Sequence, residues 1–269
     1  MSKLAEDRTR LRATFDAAAD RYQRARPEYP PELFGALVET AGLRPGARLL
    51  EIGCATGKAT IPLARWGFSI SCVEIGSHLV AAARRNLAGF SNVEIIEDAF
   101  ENWVPPTDSR FDLVFAATAW HWVDPAVRYR KAWDLLRPGG HLAFWSAGHV
   151  FPVDGDPFFA EIQQVYDELD DDPVDNILRP RPGELADHSD EIRDSGLFQD
   201  VVVRHFDWEV EYSADEYIDL LDTFSGHLAM KAHQRERLYS EIRRRLAERA
   251  DGRLRRHWGA VLHIARRTG

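Results

Sequence analysis

Apolar positions along the chain change period several times, and each change marks an element. Leu11, Phe15, Ala18, Ala19 and Tyr22 recur at helical spacing, which predicts a helix over the first 26 residues. It ends at Arg26-Pro27, because proline disfavours helical backbone in the residue before it. Pro30-Pro31 open a second helix to about Leu43, with Pro31 near its first turn. The pattern then alternates between short apolar runs and amphipathic stretches. Strands are predicted at Arg48–Ile52, Phe68–Glu74, Val93–Ile96, Phe111–Ala116 and His141–Ser146. Helices are predicted between them, at Ala59–Trp66, Ser77–Leu87 and Pro125–Leu136, with Ser77 as the N-cap of the second. Arg137-Pro138-Gly139-Gly140 reads as the turn before the fifth strand. Phe111–Ala116 is almost wholly apolar, as a strand covered on both faces should be.

This alternation predicts a parallel sheet with helices on both faces. After Val150 it loosens. A helix at Phe158–Leu169 is followed by the acidic run Asp170-Asp171-Asp172, read as a solvated loop, and a proline-rich stretch at Arg179–Gly183. Val201–Tyr212 alternates like a strand, Asp215–Phe224 and Gln234–Arg249 are helical, and Arg256–Ile264 is a final strand. The expected fold is a doubly wound, Rossmann-like, mostly parallel seven-stranded sheet with an antiparallel C-terminal edge. An N-terminal helical lid and helical insertions complete it. The expected division is a core with lid helices over residues 1–150. Residues 151–269 supply cap insertions and the last two strands of the same sheet.

Composition narrows the functions. Of 269 residues 45% are hydrophobic, which fits a globular protein, and no apolar run approaches the roughly 20 residues of a membrane span. The charged N-terminus has no apolar core, so it is not read as a secretory signal, and a cytoplasmic location follows by default. The net charge of -9 argues against nucleic acid as a partner. Cys54 and Cys72 form no zinc-binding spacing and read as buried fillers, so no metal is expected.

The most informative stretch is Leu49 to Gly57, an apolar strand ending in Glu51 and a turn of small residues before a helix. Backbone amides there approach a ligand closely, and a helix N-terminus points at it. A dinucleotide fingerprint fails, since the required second and third glycines are Ala55 and Lys58. A phosphate loop fails on its length and on Ala59 after Lys58. An ordinary strand-to-helix turn is the bland alternative. Glu74 ends the second strand, where an acid accepts both ribose hydroxyls of a nucleoside. Asp98 follows the third strand, with Ala99 and Phe100 beside it, where a carboxylate meets an adenine amino group. The fourth strand runs through Ala117 into Trp120-His121-Trp122, beyond the C-terminal strand ends where ligands of open α/β sheets bind. His121 is a candidate general base, or a binding residue only, and the tryptophans present faces that stabilise a cation. Tyr22, Arg24, Arg26 and Tyr29 form a second cluster, on the lid, with Arg26 suited to a carboxylate.

Together these residues resemble the class I S-adenosylmethionine-dependent methyltransferases, over about Phe15 to Trp145. Glu51, Gly53, Ala55 and Gly57 fit the family's first motif at every position, with Ala55 in place of the commoner middle glycine. Arg26-Pro27-Glu28-Tyr29-Pro30 and Ala119-Trp120-His121-Trp122-Val123-Asp124 resemble a narrower branch that includes trans-aconitate methyltransferases. Malonyl-carrier-protein methyltransferases are similar at the fourth strand. The resemblance implies S-adenosylmethionine as cofactor, with Glu51 to Gly57 on its methionine side, Glu74 on the ribose and Asp98 near the adenine. It implies a small-molecule acceptor, with a carboxylate oxygen as one candidate, and Tyr29, Trp120 and Trp122 are the candidate substrate-binding residues. Two rival readings stand beside it: a non-catalytic S-adenosylmethionine binder and a nicotinamide-dependent oxidoreductase. The acceptor and the oligomeric state are not legible.

Overall fold

A computed structural model of the chain describes residues 19–106, 109–169 and 179–269. Most of the first predicted helix and the Asp170-Asp171-Asp172 run lie outside these residues. The elements begin with α1 (Ala19–Ala25) and α2 (Pro31–Thr40), the latter starting on Pro31. Then come β1 (Arg48–Ile52), α3 (Thr60–Arg65), β2 (Ser69–Glu74), α4 (Ser77–Asn86), β3 (Val93–Glu97) and β4 (Phe111–Ala117). A 3-10 turn at Trp120–Trp122 leads to α5 (Arg128–Leu135) and β5 (Leu136–His149). The remainder is α6 (Phe158–Leu169), α7 (Ser189–Asp194), β6 (Phe198–Ser213), α8 (Ala214–Leu221), α9 (Ser225–Ala229), α10 (Ala232–Ala247) and β7 (Arg253–Arg267).

The strands form one sheet in the order β3-β2-β1-β4-β5-β7-β6. The first five are parallel, and β7 runs antiparallel to both β5 and β6. The mostly parallel sheet with an antiparallel edge is therefore the fold expected from the sequence. Strand order reverses between β1 and β4, which opens a crevice beyond their C-terminal ends.

The central strands β1 and β4 are buried on both faces because their side chains alternate between two cores. Leu49 packs with Leu33 and Leu37 of α2, whereas Leu50 and Ile52 pack with Val114, Trp120 and Phe144 on the other face. A third core lies where β6 and β7 run past the end of β5. There Trp258, Leu254 and Tyr212 are covered by Phe158 and Ile162 of α6, Tyr217 of α8, and Leu238 and Ile242 of α10.

Several boundaries differ from expectation. The Arg137–Gly140 turn is absorbed into β5 as an irregularity, where pairing jumps from Phe111↔Leu136 to Leu113↔His141. Ser77 is the first residue of α4 and makes no capping bond. The N-cap is Gly76, whose amide donates to Glu74 Oε1 at 2.9 Å. The predicted Asp215–Phe224 helix is shorter, running from Ala214 to Leu221, and Ser213 and Glu216 close a capping box at its start.

Candidate functional site

The loop after β1 is shaped by packing as much as by any ligand. Gly53 has φ 68°, and a Cβ there would come within 2.7 Å of the Ala119 methyl on the loop after β4. Gly57 has φ 92°, and a Cβ would meet Leu87 at 2.8 Å. The Gly57 amide donates to Cys54 O at 2.8 Å, and Gly57 does not border the cavity. This corrects its expected contact with cofactor: the residue lets α4's end approach the loop. Ala55 stands at φ 49°, a left-handed conformation that a residue with a Cβ adopts only when its surroundings enforce it. The enforcing group is Glu74, whose Oε2 accepts the Ala55 amide at 2.9 Å.

Glu74 is only 5% exposed and uses both oxygens, Oε2 on the Ala55 amide of the β1 loop and Oε1 on the Gly76 amide at the start of α4. A carboxylate has lone pairs left for further donors. Asp98 is positioned by its amide, which donates to Glu74 O at 3.0 Å, and its Oδ1 accepts the Ala99 amide at 2.7 Å.

Glu51 is fully buried on the α3 side of β1. Its Oε2 accepts the Thr60 hydroxyl at 2.6 Å, while Oε1 has no partner. Burial pushes its pKa up to about 7, against the smaller opposing effect of the Thr60 and Cys72 hydrogen bonds. The two cysteines are free and buried, as expected.

A cavity of about 400 Å³ opens at the β1/β4 switch point. Glu51, Gly53, Ala55, Glu74, Asp98, Ala99, Phe100, Ala117, His121, Trp122, Arg26 and Tyr29 all border it. Tyr29 comes from the segment between α1 and α2. Its hydroxyl shares a hydrogen bond with that of Thr118 at 2.9 Å, and its ring meets Trp145 edge-on. His121 is exposed and tilted against Trp122 at 4.7 Å. Desolvation by its neighbours, then the Arg128 and His188 charges, hold its pKa below the usual histidine value, so it is neutral at pH 7.

One expected site residue, Trp120, stands elsewhere. Trp120 is 4% exposed and stacks on Phe144 at 5.2 Å inside the core, because the 3-10 turn directs it beneath the sheet's helix layer. The side chain of Tyr22 lies outside the described residues. Arg26 borders the cavity but is engaged with the cap. Its Nε donates to Thr223 Oγ1 at 2.8 Å and its Nη2 to Thr223 O at 3.1 Å, over the Phe224 ring.

Sequence reasoning missed Trp208 and Trp258, which border the cavity from β6 and β7. They are ladder partners, stacked at 6.2 Å. Their alternation was visible, but which face it would meet depends on the β5-β7-β6 register. It also missed Lys58, nearly buried, which pairs with Glu28 at 2.6 Å and fastens the lid segment to the loop. Among the described residues no group of three or more His, Cys, Asp or Glu could hold a metal, and no helix is long and apolar enough to cross a membrane.

Comparison with known proteins agrees with this geometry. Residues 50–144 match a family described as a methyltransferase domain. An uncharacterised methyltransferase of Mycobacterium tuberculosis is 33% identical over 156 residues, 54% of this chain and 61% of that protein. The match thus spans about six-tenths of the relative's length. The malonyl-[acyl-carrier protein] O-methyltransferase of Enterobacter lignolyticus is 28% identical over 65% of each chain. Among solved structures, a candidate type II methyltransferase from Anaeromyxobacter dehalogenans is 25% identical with a TM-score of 0.61, covering 90% of this chain and 97% of that one.

Proposed function

We propose, from the premise that residues 50–144 are an S-adenosylmethionine-dependent methyltransferase domain, that the whole chain methylates a small-molecule acceptor at a carboxylate oxygen. The observation that carries this is the convergence of the β1 loop, Glu74, Asp98 and the His121–Trp122 turn on one cavity at the switch point.

The residues present fit the cofactor. The unpartnered Oε1 of Glu51 suits an ammonium group, and the remaining lone pairs of Glu74 suit ribose hydroxyls. Asp98 and Phe100 suit an adenine edge and face. The bound cofactor supplies a methyl group already activated on a sulfonium. What the protein adds is alignment and exclusion of water. Trp122 and Tyr29 present rings to the cavity, which stabilise a cation. A carboxylate acceptor is already ionised and needs no base. The neutral His121 then orients it, and the similarity to a carrier-protein O-methyltransferase supports an oxygen acceptor.

A second reading rests on the same histidine. A phenol or amine acceptor needs a proton removed, and a neutral imidazole at the cavity mouth is suited to that. Incubation with labelled S-adenosylmethionine and a panel of acids, phenols and amines tests both. Transfer to acids, with His121→Ala within a few-fold of wild type, is the expected result. A loss of about 10²-fold or more in the chemical step would instead make His121 the base. Cofactor binding without transfer to any acceptor favours the non-catalytic reading.

A further inference from the structure

Arg256 lies on β7 two residues before Trp258 and so projects on the same side of the sheet. It is 6% exposed. Its Cζ stands 4.5 Å from the Trp258 ring centroid and 5.5 Å from that of Phe224, and Tyr217 is its hydrogen-bonding neighbour. Among the described residues no carboxylate forms an ion pair with it, and its Nε is buried without a partner. Other arginines of the cap are paired: Arg21 with Asp222 at 2.9 Å, and Arg249 with Asp156 at 2.7 Å.

Burial, followed by the Arg256 charge, holds His149 down to about 2 and His227 to about 4, so both are neutral at pH 7. Arg26 adds a second cation over the same Phe224 ring, at 4.1 Å. A buried guanidinium without a counter-ion is costly, and such charges are found where a ligand supplies the missing partner. Arg26 and Trp258 border the cavity and Arg256 does not, so the cationic region lies behind its Trp258 wall.

Position separates this region from the site of transfer. The His121–Trp122 turn follows β4, whereas Arg256 lies where β7 has run past the end of β5, whose last residue pairs with Trp258. We infer that Arg256 determines acceptor specificity by holding an anionic anchor behind the Trp258 wall of the cavity, at the end remote from the atom that is methylated. The acceptor is then bifunctional: a nucleophile at one end, an apolar body along Trp208 and Trp258, and a carboxylate at the Arg256 end. This rests on the methyl-transfer reading of the same cavity.

The test measures thermal midpoints of the full chain with saturating S-adenosylhomocysteine. The probes are 3-phenylpropionate, glutarate and adipate, each against its neutral amide at equal ionic strength. At least one acid is expected to raise the midpoint by about 2 °C or more beyond its amide. Arg256→Met should abolish that difference and leave the shift due to S-adenosylhomocysteine intact. Arg255→Met, at an exposed neighbour paired with Glu209, should keep both. Arg256→Lys retains the charge and serves if Arg256→Met does not fold; it should keep part of the difference. Acids and amides acting alike on the wild type, or a difference that survives Arg256→Met, overturns the inference. Absence of any S-adenosylhomocysteine shift is a separate result, and counts against the methyl-transfer reading instead.

Discussion

Glu51 has a folded-state pKa of about 7 because burial penalises its charge, against an ordinary 4.5. Below pH 4.5 the carboxyl is protonated in both folded and unfolded chains, and its contribution to stability is fully present. Between pH 4.5 and pH 7 the unfolded chain ionises while the folded one keeps its proton, so stability falls as pH rises. The loss is complete above the folded value and amounts to on the order of 3 kcal/mol. Denaturant midpoints followed across this window should fall more steeply for wild type than for Glu51→Gln. Parallel curves would show that Glu51 is not the titrating group. An acid in Leu49-Leu50-Glu51-Ile52 was legible as a ligand candidate. Its orphaned oxygen was not, because that depends on where Thr60 and Cys72 come to lie. Gly57 shows the converse. A motif glycine looked like a ligand contact, and the constraint that selects it is its left-handed φ of 92°, with the Leu87 side chain packed close by.

Helix α1 and the corner between α8 and α9 are joined by polar contacts that no local pattern announces. Arg21 pairs with Asp222, Arg26 with Thr223, and Tyr239 of α10 donates to Asp222 Oδ1 at 2.6 Å. The two arginine contacts span about two hundred residues of sequence. Asp222→Ala should cost about 1 kcal/mol of stability, since the pair is partly exposed. If the helix acts as a lid, the variant should release S-adenosylhomocysteine several-fold faster. Stopped-flow dissociation at the wild-type rate would remove that role. Elements with a long, clean period were readable, as β1 to β4 and α4 show. The short helices α7 and α9, of six and five residues, were not, being under two turns and too brief for a periodic signal. The break in β5 was visible as a turn signal, yet pairing with β4 resumes at His141 beyond it.

The cavity takes its walls from both ends of the chain. The lid segment supplies Tyr29, the parallel strands supply the loop and the acids, and the antiparallel pair supplies Trp208 and Trp258. Trp258 is 2% exposed and belongs to the cap's core while also bordering the cavity. Trp258→Ala should therefore cost about 3–5 kcal/mol. It should do so within a single unfolding transition, since cap and sheet share this residue. Two resolved transitions in a melting experiment, or a loss under about 1 kcal/mol, would show the two parts to be independent. The doubly wound half could be read from sequence because neighbouring elements there are sequential. The acceptor side could not, because it is assembled from strands whose order in space, β5-β7-β6, differs from their order in the chain.

That inverted order has a consequence for the growing polypeptide. Strand β6 pairs with β7 alone, and β7 is made after both of the strands it joins. As synthesis proceeds from the N-terminus, the outer edge of β5 and all sixteen residues of β6 emerge before their partner exists. Until β7 follows, the nascent chain exposes unpaired strand edges of the kind that recruit other molecules.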